Sequence, residues 1–121
     1  RGGAFRAGED ARDLRALVAV GGWQMTGAGK DEVWHDTALL LDLTKSPPKW
    51  EGVPQPFKRR AVNVGAAGGK VYVVGGLTDD NQLTRRVDVF DVASRSWAKG
   101  PDLPGGVMNG FAPAVAVRDG R

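Results

Sequence analysis

Two stretches of this chain repeat one pattern of apolar and polar positions. Leu17-Val18-Ala19-Val20-Gly21-Gly22 is echoed by Val71-Tyr72-Val73-Val74-Gly75-Gly76. Each block leads into a polar loop, residues 24–36 and 77–84, and then into an apolar run closed by aspartate. Those runs are Ala38-Leu39-Leu40-Leu41-Asp42 and Val87-Asp88-Val89-Phe90-Asp91, and a tryptophan follows each, Trp50 and Trp97. Short apolar runs bounded by turn residues predict β-strands. In the second unit the predicted strands are 60–67, 70–75, 85–92 and a short one at Trp97. Gly68-Gly69 supplies the positive φ of a tight hairpin turn. Residues 93–96 form the next turn, and Pro101 and Pro104 end the unit, because proline cannot donate to a ladder. Tyr72 and Val74 alternate with Val71 and Val73, so this strand is apolar on both faces, as a strand covered on both sides must be. The first unit follows the same order. A strand is predicted within residues 1–6, a long hairpin loop over 7–15 and a strand over 17–22. Ala11, Leu14, Leu17 and Val18 would also suit an amphipathic helix. Pro47-Pro48 occupies a longer turn before Trp50.

Gly21 and Gly75 lie 54 positions apart, and Trp50 and Trp97 lie 47 apart. A period near 50 with four short strands per unit predicts the blades of a β-propeller. One such unit cannot bury both faces alone. Asp119-Gly120-Arg121 repeats Gly68-Gly69-Lys70 at an offset of 51, which makes residues 111–117 the expected first strand of a third unit. The expected fold class is therefore all-β: about two four-stranded antiparallel blades, residues 1–59 and 60–108, with the first strand of a third in 109–121, all in one propeller domain. The chain opens at Arg1 and stops where a strand is due, so it is expected to be an internal segment that needs further blades, from the same chain or by oligomerisation.

The ordered recurrence resembles the kelch repeat family, whose units carry a double glycine, an aromatic residue in the third strand and a tryptophan in the fourth. Gly75-Gly76, Phe90 and Trp97 match it in the second unit, and Gly21-Gly22 and Trp50 in the first. Leu41 departs from the pattern, which usually has tyrosine there. The resemblance implies blades whose first strand is innermost, with residues 60–67 and 111–117 facing a central channel. The small residues Ala61, Gly65, Ala66, Ala67, Ala112, Ala114 and Ala116 suit crowding at the axis. The tryptophans are expected to bury large area between blades.

Composition narrows the chemistry. Among 121 residues there is no cysteine and a single histidine, so this segment has no disulfide, thiolate ligand or cysteine nucleophile. No apolar run approaches a membrane span. The net charge is +3, with acids interleaved among the basic residues, which argues against a nucleic-acid surface. His35-Asp36 resembles an oriented histidine, but one histidine cannot build a His₂ or His₃ site; it reads as a loop histidine. Asp79-Asp80-Asn81 lacks the glycine and distal glutamate of a calcium loop and reads as a turn. The glycine-rich stretches 65–70 and 27–30 lack the helix or the Ser/Thr of a phosphate loop.

The candidate binding residues are Lys58, Arg59, Arg60, Arg85, Arg86, Asn109 and Trp23, all in loops or just before innermost strands. Arginine in such loops grips carboxylates through bidentate hydrogen bonds, or ties neighbouring blades together through carbonyls and acids. The function expected is a non-catalytic scaffold for protein or glycan binding, with no cofactor, no metal and no catalytic residue in this segment. The alternative is a propeller segment of a larger enzyme, galactose oxidase-like or sialic-acid mutarotase-like, with its active site elsewhere.

Overall fold

A computed structural model describes residues 3–6, 15–28 and 31–120. Two four-stranded antiparallel sheets carry the two repeats. The first contains β1 (Gly3–Arg6), β2 (Ala16–Val20), β5 (Thr37–Asp42) and β6 (Trp50–Pro54), in that spatial order. Between β2 and β5 lies a small hairpin, β3 (Trp23–Met25) paired with β4 (Glu32–Trp34). The second sheet runs β8 (Asn63–Ala67), β9 (Lys70–Val74), β11 (Val87–Asp91) and β12 (Ser96–Lys99). A two-residue ladder joins β7 (Arg59–Arg60) to β10 (Leu77–Thr78). The predicted hairpin loop over 7–15 lies mostly outside the described residues.

The core forms where the two sheets face each other. Side chains alternate across a strand, and Val18, Val20, Ala38 and Leu40 of the first blade meet Val64, Val71, Val73 and Phe90 of the second. Val71, Val73 and Phe90 are fully buried, whereas Tyr72 points away and is exposed. Trp97 packs on the same interface, with its ring centroid 5.3 Å from Phe57 and 4.9 Å from Phe90. Trp50 does not match this burial: it is 47% exposed. Paired with Leu41, it lies on the face of the first blade turned away from the second.

The double glycines have a definite mechanical role. The Gly22 amide donates to the Arg59 carbonyl at 2.8 Å, and the Gly76 amide to the Gly110 carbonyl at 2.9 Å. Each blade is thereby stitched to the segment that enters the next. All four glycines have positive φ, from 66° to 100°, a region that L-side chains avoid. A Cβ on Gly75 would stand 2.5 Å from the Gly110 carbonyl oxygen, whereas one on Gly68, also at positive φ, would meet nothing within 4 Å. Gly75→Ala is therefore expected to cost about 1–3 kcal/mol more than Gly68→Ala in urea unfolding. Equal costs would mean the close approach at Gly75 is not made.

Three segments differ from the pattern reading. The strand expected over 60–67 is broken: Ala61 sits at φ 53°, and this bend sends β7 to pair with β10 while β8 alone lines the sheet. Ala61 is thus in a turn, not on the channel strand. The loops over 24–36 and 77–84 contain β3, β4 and β10. Residues 107–110 form a 3₁₀ turn, and 113–117 carry no ladder, because among the described residues they have no strand to pair with. Val115 and Val117 instead lie over Gly65, within 2.6 and 3.3 Å of where its Cβ would stand.

Candidate functional site: the cleft between the blades

The turn Gln55-Pro56-Phe57-Lys58 carries the chain from the first blade to the second. Beside it opens a cleft of about 470 Å³, lined by Asp36, Gln55, Phe57, Lys58, Arg59, Thr78, Asp79, Thr84 and Arg86. Its walls are fixed from below. Gln55 is buried; its Nε2 donates to the carbonyls of His35 (2.8 Å) and Phe57 (3.0 Å), and its Oε1 accepts from the Gly21 amide. These bonds lock the turn onto the first double glycine.

Arg59 fixes the other wall. Its side chain is 1% exposed. One Nη1 donates to the carbonyls of Gly75 and Arg86, both at 2.9 Å, and Nη2 meets Asp88 Oδ2 at 2.5 Å. Its guanidinium lies 4.4 Å from the Phe57 ring centroid, a cation–π contact in a desolvated setting. Burial pulls its pKa down to about 10, against the raising effect of Asp88. Asp88, 1% exposed, also accepts Arg86 Nη2 at 2.8 Å. One carboxylate thus holds two guanidinium groups, one buried and one at the rim. The Nε of Arg59 is buried without an acceptor among the described residues.

The seven candidate residues divide into three groups. Lys58, Arg59 and Arg86 converge on the cleft. Of these Lys58 is exposed, while Arg59 is sealed beneath the surface and offers no side-chain surface to a partner. Arg60 and Trp23 meet elsewhere. The Arg60 guanidinium lies 4.3 Å from the Trp23 ring and 5.6 Å from Trp34, and the two indoles stack at 6.1 Å. Cross-strand pairing of Trp23 with Trp34 makes this a clasp between the β3–β4 hairpin and β7. Arg85 and Asn109 fasten the segment after β12: Arg85 Nη1 donates to the Leu103 and Gly105 carbonyls, and Asn109 Nδ2 to the Pro104 carbonyl. Asp36, Asp79 and Asp88 are the charged residues that the sequence reading did not assign to the site, and Gln55, Phe57, Thr78 and Thr84 are further lining residues it did not assign. The alternation Asp88-x-Phe90 carried a signal, since a charged residue on a buried face requires a partner.

The opposite end of the blades carries charge as well. Asp42 accepts from the Thr44 hydroxyl and amide, Glu51 pairs with Arg95 at 2.7 Å, and Asp91 accepts from the Ser94 amide. These bonds hold all three carboxyls below their ordinary values of 3.8, 4.5 and 3.8. A depressed folded pKa contributes stability above the ordinary value and loses it as pH falls through the folded one. The urea midpoint is expected to be flat from pH 7 to 5 in this respect and to fall below about pH 4, less steeply in Asp91→Asn. A midpoint that rises on acidification would contradict these bonds.

Stacked four-stranded sheets, innermost strands side by side and double glycines bonded to the next segment define neighbouring blades of a β-propeller. Residues 58–104 match the kelch motif. Over 99 residues the chain is 40% identical to an F-box/kelch-repeat protein of Arabidopsis thaliana, covering 74% of this chain and 24% of that protein. The solved structure of YjhT matches with a TM-score of 0.53 at 20% identity, over 85% of this chain and 29% of the other. The chain thus spans about a quarter of each relative; residues 58–104 are a kelch repeat, and the two sheets have the fold of adjacent propeller blades.

Proposed function

We propose that this chain is a non-catalytic recognition scaffold that binds protein through the cleft between its blades. The observation that carries this reading is the cleft itself. It is concave, mounted on two hydrogen-bonded sheets, and rimmed by charges of both signs that the fold does not neutralise. Lys58 and Asp79 are exposed and make no ion pair or hydrogen bond among the described residues. Rigid walls spare a partner the cost of ordering the site. The kelch-repeat relative, named for an F-box as well as its repeats, supports a role in protein interaction.

A photo-crosslinking side chain at position 58, in the protein from its source cells, is expected to capture a discrete partner. The same group at position 49, exposed at the other end of the blade, is expected to capture none. Equal capture at both positions, or at neither, would overturn the reading.

A further inference from the structure

The charges left over in the cleft define what it takes. Asp88 sets one negative charge against the two guanidinium groups of Arg59 and Arg86, so the trio keeps one positive charge, at the rim where Arg86 is 38% exposed. Beside this trio stand a second cation, Lys58, and two carboxylates, Asp36 and Asp79, so the cleft carries both signs in balance. Among the described residues the Asp36 carboxylate accepts one bond, 3.2 Å from the neighbouring Thr37 hydroxyl. The two carboxylates come from different blades, Asp36 just before β5 and Asp79 just after β10, so the fold brings them together only when the blades pack.

We propose that the cleft binds an extended peptide segment of mixed charge. A lysine or arginine of the peptide lies against Asp36 and Asp79, and an aspartate or glutamate lies against Lys58 and the rim guanidinium of Arg86. This assignment rests on the protein-recognition reading and specifies its ligand. A purely acidic segment would leave two carboxylates facing like charge, and a purely basic one would face Lys58. Opposed like charges across an interface discriminate against the wrong partner.

The test uses arrays of blocked octapeptides of alanine and glycine. One array carries one lysine and one glutamate at every spacing, and the controls carry two lysines or two glutamates. Binding is read by titration calorimetry against the protein and its Asp79→Lys, Asp79→Asn and Lys58→Glu variants, each checked by circular dichroism. A subset of mixed-charge peptides is expected to bind at least roughly tenfold more tightly than either control. Asp79→Asn is expected to remove that preference, and Asp79→Lys to shift it towards the two-glutamate peptides. Preferred binding of the two-glutamate peptides by the unaltered protein would overturn the charge assignment and leave protein recognition standing. So would a partner crosslinked at position 58 with no peptide binding at all. Failure of both the crosslink and every peptide would remove the recognition role together with its ligand.

Discussion

Arg59→Ala is expected to destabilise the paired blades by about 3–5 kcal/mol in urea unfolding, the range for breaking a buried ion pair by removing one of its members. Asp88 stays 1% exposed, loses its 2.5 Å bond to Nη2 and keeps on its other oxygen only the bonds from Arg86, which is 38% exposed. The Gly75 and Arg86 carbonyls lose a donor at the same time. Arg59→Lys keeps the charge but not the fork that reaches two carbonyls and a carboxylate, so it is expected to recover only part of the loss. Arg59→Met with Asp88→Leu is expected to cost less than Arg59→Ala alone, because replacing both members of a buried pair by apolar groups removes the stranded charge. A loss below about 1 kcal/mol for Arg59→Ala, the range of exposed ion pairs, would mean that the tie is not buried.

Phe90→Ala is expected to cost about 3–5 kcal/mol, as truncation of a buried aromatic ring does. Phe90 is fully buried between the blades and supports Trp97, which in turn meets Phe57 edge-on. Trp97→Ala opens the same seam from its half-buried side and is expected near the lower end of that range. Trp50→Ala, at the equivalent repeat position but 47% exposed, is expected to cost less than either. Urea midpoints of the three variants separate a packed interface from a mere repeat of letters: similar losses at Trp50 and Trp97 would contradict the orientation of the blades.

Much of the fold was legible because the repeat obeys simple periods. The alternation in Val71–Val74, the double glycines and the paired tryptophans located three strands of each blade and the turns between them. The hairpin of β3 and β4 was hidden because Trp23 and Trp34 are separated by residues that read as loop, including Gly27 and Ala28. Their pairing is secured by Arg60, from beyond the end of the blade. The break between β7 and β8 was hidden for a related reason: Ala61 is an ordinary strand or helix residue, and only the tertiary path forces it to φ 53°.

The site was legible by composition and not by geometry. The run Lys58-Arg59-Arg60 marked the junction, yet its three side chains go to three places: solvent, the buried Asp88 and the Trp23 ring. The tie role weighed for these arginines describes Arg59 and Arg85. Asp36 and Asp79 lie 43 positions apart in the sequence, and nothing local relates them; the packing of one blade on the next does.

That packing is the centre of the account, and amide hydrogen exchange at Gly22 and Gly76 measures it most directly. Both amides lie outside strand ladders and donate across to the segment entering the next blade. If the blades are joined as described, Gly22 and Gly76 exchange as slowly as the core amides of β5 and β9, and Gly22 speeds up in Phe90→Ala together with them. Exchange of Gly22 and Gly76 at the rate of an open loop, while β5 and β9 remain protected, would contradict the joining of the blades.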